Sequence, residues 1–487
     1  MYAGLSALTP PLLVLGLLTV SSPASAAHGH DILDIVASPG LGADLGGQPV
    51  AIDLDDGSSG LIVASMRNGQ GTLVRLDNFG ERSGPARTLD SSIEALAVDR
   101  STHNIIVGGA AGLTVLGPDF EPLWQRPLTA GPGELRVAVG EQGTVAALAG
   151  GVLHVFSAQG HALGQTRPDH EVLRGLAVVD DAALVITTGW SSRRACGEQI
   201  DVAALSAFAH DGSPRWHAYG HATEAELCGH HDDPASTRGV AVARGNDGLL
   251  YLLAEVEGRD DLFRGRPGQP GIAAENVSFD MYTDPETANP AQFAYFARFT
   301  TAGEHMVGQY FVLPAADSVV RPRAIAADVH GNVYLAGAAS HSLGAADDVA
   351  MTESLGRMAG FFQVVAADFG GRRSWQQLDA DDMRTDLTAL AVTDDRAVTL
   401  LDAAPVEGRT EGALPTGPSV LMWEGGFGPV AAEKRPDPES QGTFGYDSGV
   451  SGSDPTCYCD TSPPAPAALL TLAMFGLAGL QRPRRRT

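Results

Sequence analysis

Basic charge is scarce in this chain. Its 487 residues carry 32 Lys and Arg against 58 Asp and Glu, a formal net charge of -26. A nucleic-acid binder with that balance needs a compensating basic stripe, and the only dense basic run is RPRRR at Arg482 to Arg486. No nucleic-acid partner is expected. Aromatic residues make up only 6%, and long helical runs of Leu, Glu and Lys are missing, which argues against a helical bundle. Hydrolase and nucleotide signatures are missing too: there is no G-x-S-x-G elbow, no P-loop and no G-x-G-x-x-G opening a helix. That does not exclude an enzyme, since catalytic residues can be scattered over a fold. What is abundant is hydrophobic residues (44%) and glycine (59), the composition of strands and turns. The length suits one large repeat domain or two to four ordinary ones.

Both ends read as processing segments. An apolar stretch from Leu12 to Val20 is followed by small residues, with Ala24-Ser25-Ala26 fitting a small-x-small cleavage site, so residues 1–26 are expected to be a signal peptide. No Lys or Arg precedes that stretch, a departure from the usual pattern. Residues 436–456 form a Gly/Ser/Asp-rich linker that cannot bury a core. Residues 457–487 hold Cys457 and Cys459, a Pro-rich hinge, an apolar run from Ala465 to Leu480, and Arg482, Arg484, Arg485 and Arg486. As a helix, that run spans roughly 24 Å, a thin crossing of a hydrocarbon core of about 30 Å, with the arginines on the cytoplasmic side.

Cysteine, hinge, single apolar helix and arginine cluster together resemble the MYXO-CTERM type of C-terminal sorting signal of myxobacterial surface proteins. The resemblance covers about the last thirty residues. It implies transient anchoring in the inner membrane, cleavage by an intramembrane sorting protease near Cys457 or Cys459, lipid modification there, and delivery to the cell surface or outer membrane. An ordinary tail anchor is the alternative.

Between the ends, one line is written seven times. Copies read AIAADVHGNVYLAGAAS from Ala324, EALAVDRSTHNIIVGG from Glu94, LRVAVGEQGTVAALAG from Leu135 and RGLAVVDDAALVITTG from Arg174. RGVAVARGNDGLLYLLAE from Arg238, TALAVTDDRAVTLLDAA from Thr388 and a more worn PVAIDLDDGSSGLIVAS from Pro49 complete the set. Each places a small residue among apolar ones, branched on both sides except at Ala326, which Ala327 follows: Ala51, Ala97, Ala138, Ala177, Ala241, Ala326 and Ala391. Strand alternation puts the alanine on one face and its neighbours on the other, so both faces are buried. The innermost strand of a propeller blade meets that demand. Later in the units come a strand, an Asp/Gly turn and a strand carrying Trp124, Trp216 or Trp375, expected to pack between blades. The expected fold is all-β, a seven-bladed β-propeller over residues 47–435. It resembles the propeller repeats of bacterial extracytoplasmic proteins, with Val329 to Gly337 (VHGNVYLAG) the nearest match. Residues 27–46 include DILDIVAS from Asp31, a candidate strand to close the ring.

Four stretches read as insertions between second and third strands: Trp190 to Gln199, Glu257 to Pro290, Ser340 to Gly360 and Pro405 to Gly417. In a propeller they gather on the face that also carries the blade-to-blade links, and loops on a rigid scaffold are where binding concentrates. Cys196 and Cys228 fall on that same expected face, and an exported protein can keep a disulfide between them. His217, His221, His230, His231, Asp232 and Asp233 are the weak metal candidates; they lack any recognised ligand spacing, and exposed-loop histidines are the plainer account. DLDDGSSG from Asp53 and DADDMRTD from Asp379 leave calcium as the one cofactor still open, although neither has the order of a calcium loop.

The function expected from these features is an exported, surface-anchored, monomeric and non-catalytic scaffold. It would bind an extracellular protein or glycan through the long-loop face of blades four to seven. A propeller enzyme acting on an extracellular polymer, as hydrolase or lyase, is the alternative.

Overall fold

A computed structural model describes residues 34–37, 45, 47–55, 60–77, 80–129, 131, 135–195, 197–219, 236–257, 292–311, 319–341, 354–369, 372–378, 383–393, 396–406 and 417–424. Every regular element among them is a strand, and the strands form seven four-stranded antiparallel sheets. The first strands of the sheets are Gln48–Asp55, Ala95–Asp99, Arg136–Val139, Val172–Val179, Thr237–Arg244, Val320–Ala327 and Met383–Val392. Each touches the first strand of the next sheet, and Met383–Val392 touches Gln48–Asp55, so the seven stand round one axis as inner strands. Blade seven takes its fourth strand from the start of the chain. Asp34–Ala37 pairs antiparallel with Gly417–Glu424, with Asp34 opposite Glu424 and Ala37 opposite Leu421. The blade that ends the chain is thereby finished by residues that begin it.

The core is seven seams, one between each pair of neighbouring blades, and the alternation of the inner strands builds them. Ala97 packs with Val115, Val145 and Ala147 between blades two and three, while its neighbour Val98 joins Ile62, Leu73 and Ile105 between blades one and two. The other repeat alanines follow: Ala51, Ala138, Ala177, Ala241, Ala326 and Ala391 each pack into the seam with the following blade. Near the axis adjacent strands come closest, so a methyl group fills the space on that side.

Further out the seams are pinned by aromatics. Trp124 of blade two donates its indole N–H to Ala158 O at 2.9 Å in blade three. A Cβ on Gly160, at φ 79°, would stand 2.7 Å from that ring. Trp216 of blade four repeats the arrangement on blade five, donating to Thr301 O at 3.1 Å. Trp375 lies on the corresponding strand Arg372–Leu378, opposite Gln363; its side chain is outside the described residues.

Two of the expected insertions are partly strand. In blade four the second and third strands run as Leu184–Ala195 and Glu198–Ala209, paired from Trp190↔Ala203 out to Ala195↔Glu198. The inner strand reaches only as far as Val172 opposite Trp190, so the hairpin projects beyond it. Residues 190–199 are therefore not a loop: cross-strand pairing extends the sheet, and Gly197 at φ 88° serves the reversal. In blade six residues 354–360 likewise belong to the strand Ser354–Val365. In blade seven the strands Arg396–Pro405 and Gly417–Glu424 end where the insertion was expected to begin and finish. The segments 1–26 and 436–487, with Cys457, Cys459, Arg482, Arg484, Arg485 and Arg486, lie outside the described residues, as do Cys196 and Cys228. Among the described residues no helix is long and apolar enough to cross a membrane.

Candidate functional site

Because every inner strand is the first of its blade, all seven begin at one face and end at the other. The two ends of the central channel differ. Where the inner strands end, Arg100 follows the strand of blade two and reaches Asn246 Oδ1 in blade five at 3.1 Å and Val392 O in blade seven at 2.9 Å. Arg244 of blade five pairs with Glu141 of blade three and, at 3.5 Å, with Asp181 of blade four. Two guanidinium groups thus tie five blades together at that end.

The opposite end, where the inner strands begin, carries a rim of arginines. Blades three to seven place Arg136, Arg174, Arg238, Arg321 and Arg384 in the first residues of their inner strands. The projecting hairpin of blade four rises from this same face, as do the blade-to-blade links. Arg238 is held by carboxylates: Asp201 at 2.6 Å, Glu255 at 3.3 Å and Glu257 at 3.2 Å. Ser192 on the hairpin donates to Asp201 at 2.8 Å, fixing the carboxylate from its other side. Arg323 places two donors on Asp386 Oδ2, at 2.9 and 2.8 Å. Burial raises the Asp386 carboxyl above its ordinary range, with the Arg323 hydrogen bond and charge opposing.

Arg136 and Arg174 are different. Burial lowers the Arg136 guanidinium, the nearby charge of Arg174 lowers it further, and the charge of Glu94 opposes. Arg174 sits on a β-bulge between Leu173 and Gly175, with its guanidinium 5.1 Å over the Trp190 ring. Among the described residues it forms no ion pair.

Of the metal candidates only His217 lies among the described residues; His221, His230, His231, Asp232 and Asp233 lie outside them. His217 Nδ1 is 2.9 Å from Ser206 Oγ, and that hydroxyl is 3.0 Å from His170 Nε2. Ser206 and His170 are buried, which makes a His-Ser-His chain inside blade four. No group of three or more His, Cys, Asp and Glu suited to a metal occurs among the described residues. Of the acidic run DLDDGSSG, Asp53 and Asp55 end the first inner strand and meet protein donors, while Asp56 lies outside the described residues. Asp53 accepts from Val98 N at 2.7 Å; Asp55 meets His103 Nδ1 at 2.6 Å and Arg75 at 3.3 Å.

The histidines give a pH prediction. Burial holds both His154 and His217 below the ordinary imidazole range, with Asp169 opposing at His217. A depressed value favours the neutral ring in the folded state. Their contribution to stability is whole above the unfolded value of about 6.5 and is lost as pH falls below it toward the depressed folded values. The urea midpoint is expected to drop between about pH 7 and about pH 5, and the H154Q/H217Q pair to flatten that drop. An unchanged slope in the double variant would refute the assignment.

No protein-family model and no curated protein matches the sequence. Among solved structures, one titled "Streptogramin B lyase structure" is similar at a TM-score of 0.43 and 12% identity, over 80% of this chain and 96% of that one. At that TM-score and identity the likeness carries no argument about this chain.

The arginine rim was missed in the sequence, although its members open the repeat lines themselves (LRVAVG, RGLAVV, RGVAVAR). A net charge of -26 hides a local concentration of the opposite sign. The His170–Ser206–His217 chain left no sequence signal, since nothing in the spacing marks those three positions as neighbours.

Proposed function

We propose that this chain is an exported, cell-surface-anchored β-propeller. It serves as a non-catalytic scaffold that binds an extracellular partner through the face where its inner strands begin. The observation that carries this reading is the asymmetry of the two faces. One end of the channel is tied across the axis by Arg100 and Arg244, and the other bears a projecting paired hairpin beside an arginine rim. A hairpin held by cross-strand pairing is a rigid extension, and rigid presentation lowers the ordering cost of binding. The half-buried carboxyl of Asp386 favours the enzyme reading, but Arg323 already engages its Oδ2.

Anchoring rests on the tail: sorting by a membrane protease at Cys457 or Cys459 is the proposed route to the surface. Fractionating cells that express the full chain, or one ending after Asp454, tests it. The full chain is expected on the envelope and the shorter one in the medium; the same distribution for both would reject surface anchoring. Shortening the blade-four hairpin by removing residues 191–198 is expected to abolish retention on extracellular material. The scaffold reading fails if that variant is retained as well as the full chain.

A further inference from the structure

The hairpin that projects from blade four is seated on the link entering that blade, residues 167–171, between the strands Ala162–Thr166 and Val172–Val179. Ser191 at the hairpin base accepts from Glu171 N at 3.1 Å and donates to Asp169 O at 3.3 Å. Ser192 N donates to the Glu171 carboxylate at 3.2 Å. Between those two link residues, His170 is buried and meets Ser206 Oγ, on the returning strand of the hairpin, at 3.0 Å. His217 on the fourth strand reaches the same oxygen at 2.9 Å. A hydroxyl has one proton, so it donates to one ring while accepting from the other, and the receiving ring must be neutral. Acid puts an N–H on every ring nitrogen and sets two like charges about one buried hydroxyl. Phe208, on the same face of the strand as Ser206, packs with Ala146, Leu148, Leu153 and Val155 of blade three, so this seam solvates charge poorly. The link carries Arg167, Asp169 and Glu171; Asp169 favours charge on His217, and Glu171 accepts from Ser192. Asp201 is held by Ser192 and Arg238, Arg174 lies over Trp190, and exposed Arg215 acts on Asp211.

We propose that the His170–Ser206–His217 chain is an acid-opened latch beneath the projecting hairpin. Protonation of both rings parts the link from the hairpin base, and the hairpin loses its fixed position. Its role as a control of binding rests on the reading of this face as the binding face. The closed form prefers neutral rings, so the latch holds above the ordinary imidazole value of about 6.5 and gives way as pH falls below it.

The experiment is hydrogen exchange of the full chain, with each rate divided by the intrinsic rate at that pH, read at the Glu171 and Ser192 amides. Going from about pH 7.5 to about pH 5.5 is expected to speed both corrected rates about tenfold or more, the effect of a one-unit preference for neutral rings. Amides of the strand Val333–His341 in blade six are expected to keep their rates. Replacing both histidines, His170→Gln with His217→Gln, keeps side chains that bond to Ser206 but do not charge, and should remove the pH response. Should that pair fold poorly, Ser206→Ala serves instead: without the shared hydroxyl, both amides should exchange faster already at neutral pH. The latch is overturned by an absent pH response in the parent, by one that persists in the glutamine pair, by unchanged protection in Ser206→Ala, or by equal acceleration in blade six. None of these outcomes touches the binding face, which is tested separately by removing residues 191–198. Retention on extracellular material that stays constant while the two amides open in acid would confirm the latch and count against the binding face.

Discussion

Replacing Trp423 with alanine is expected to cost the folded protein about 3–5 kcal/mol. Trp423 is among the largest side chains with no exposed surface, on the strand Gly417–Glu424 of blade seven. Its ring stacks on Phe362 of blade six at 4.3 Å and 16°, and its indole N–H donates to Thr399 Oγ1 at 3.0 Å. Truncation opens a cavity in the seam between blades six and seven and orphans a buried hydroxyl, two separate penalties. The place matters as much as the volume, because Trp423 lies in register with Ile35 on one side and Ala397 on the other. A seam loosened there loosens the strand that closes the ring. Urea unfolding followed by far-UV circular dichroism checks the result. Trp423→Phe keeps most of the stacking and loses the hydrogen bond, so it should cost roughly 1–2 kcal/mol. An alanine variant less than about 1 kcal/mol below the parent would mean that the ring closes without this contact.

The seams were legible in the sequence because the inner strands carry their image. An alanine between two branched residues encodes two unlike faces, and in each of the seven blades the alanine packs toward the following blade. The tryptophan at the outer strand was equally visible, since it recurs after an Asp/Gly turn. What decides whether residues 190–199 are loop or strand is pairing between two segments, and WSSRRACGEQ shows no strong local preference for either. The arginine plug was hidden for another reason. Arg100 reaches residues 146 and 292 positions away, and only closure of the ring brings them within reach. Local pattern thus fixes the blades, whereas the channel ends, and with them the candidate site, are products of the closed circle.

The repeat line GNVY also holds the second large effect. Asp328, at the end of the inner strand of blade six, is completely buried. Its carboxylate accepts from the backbone N–H groups of His330 and Asn332 at 2.9 Å each, from Asn332 Nδ2 at 2.7 Å and from the Tyr334 hydroxyl at 3.2 Å. Gly331, at φ 78°, takes the one turn position where a side chain would be strained. The motif is therefore a satisfied polar knot: acid, glycine, asparagine and tyrosine are spaced so that one carboxylate meets four donors. Blade five reaches a related end with Asp247, which accepts from Leu249 N at 3.1 Å and the Tyr251 hydroxyl at 2.6 Å. Asp328→Ala strips those four donors of their shared acceptor inside the protein, and a loss of about 3–5 kcal/mol is expected. Asp328→Asn keeps an acceptor oxygen but turns a donor toward the tyrosine or the backbone, so it should fall between alanine and the parent. Hydrogen exchange localises the damage: the Asn332 amide, protected by the carboxylate, should exchange faster in both variants while amides of blade three stay protected. Uniform acceleration across all blades would show that the knot supports the whole ring rather than its own turn, and no acceleration at Asn332 would show that the carboxylate is dispensable.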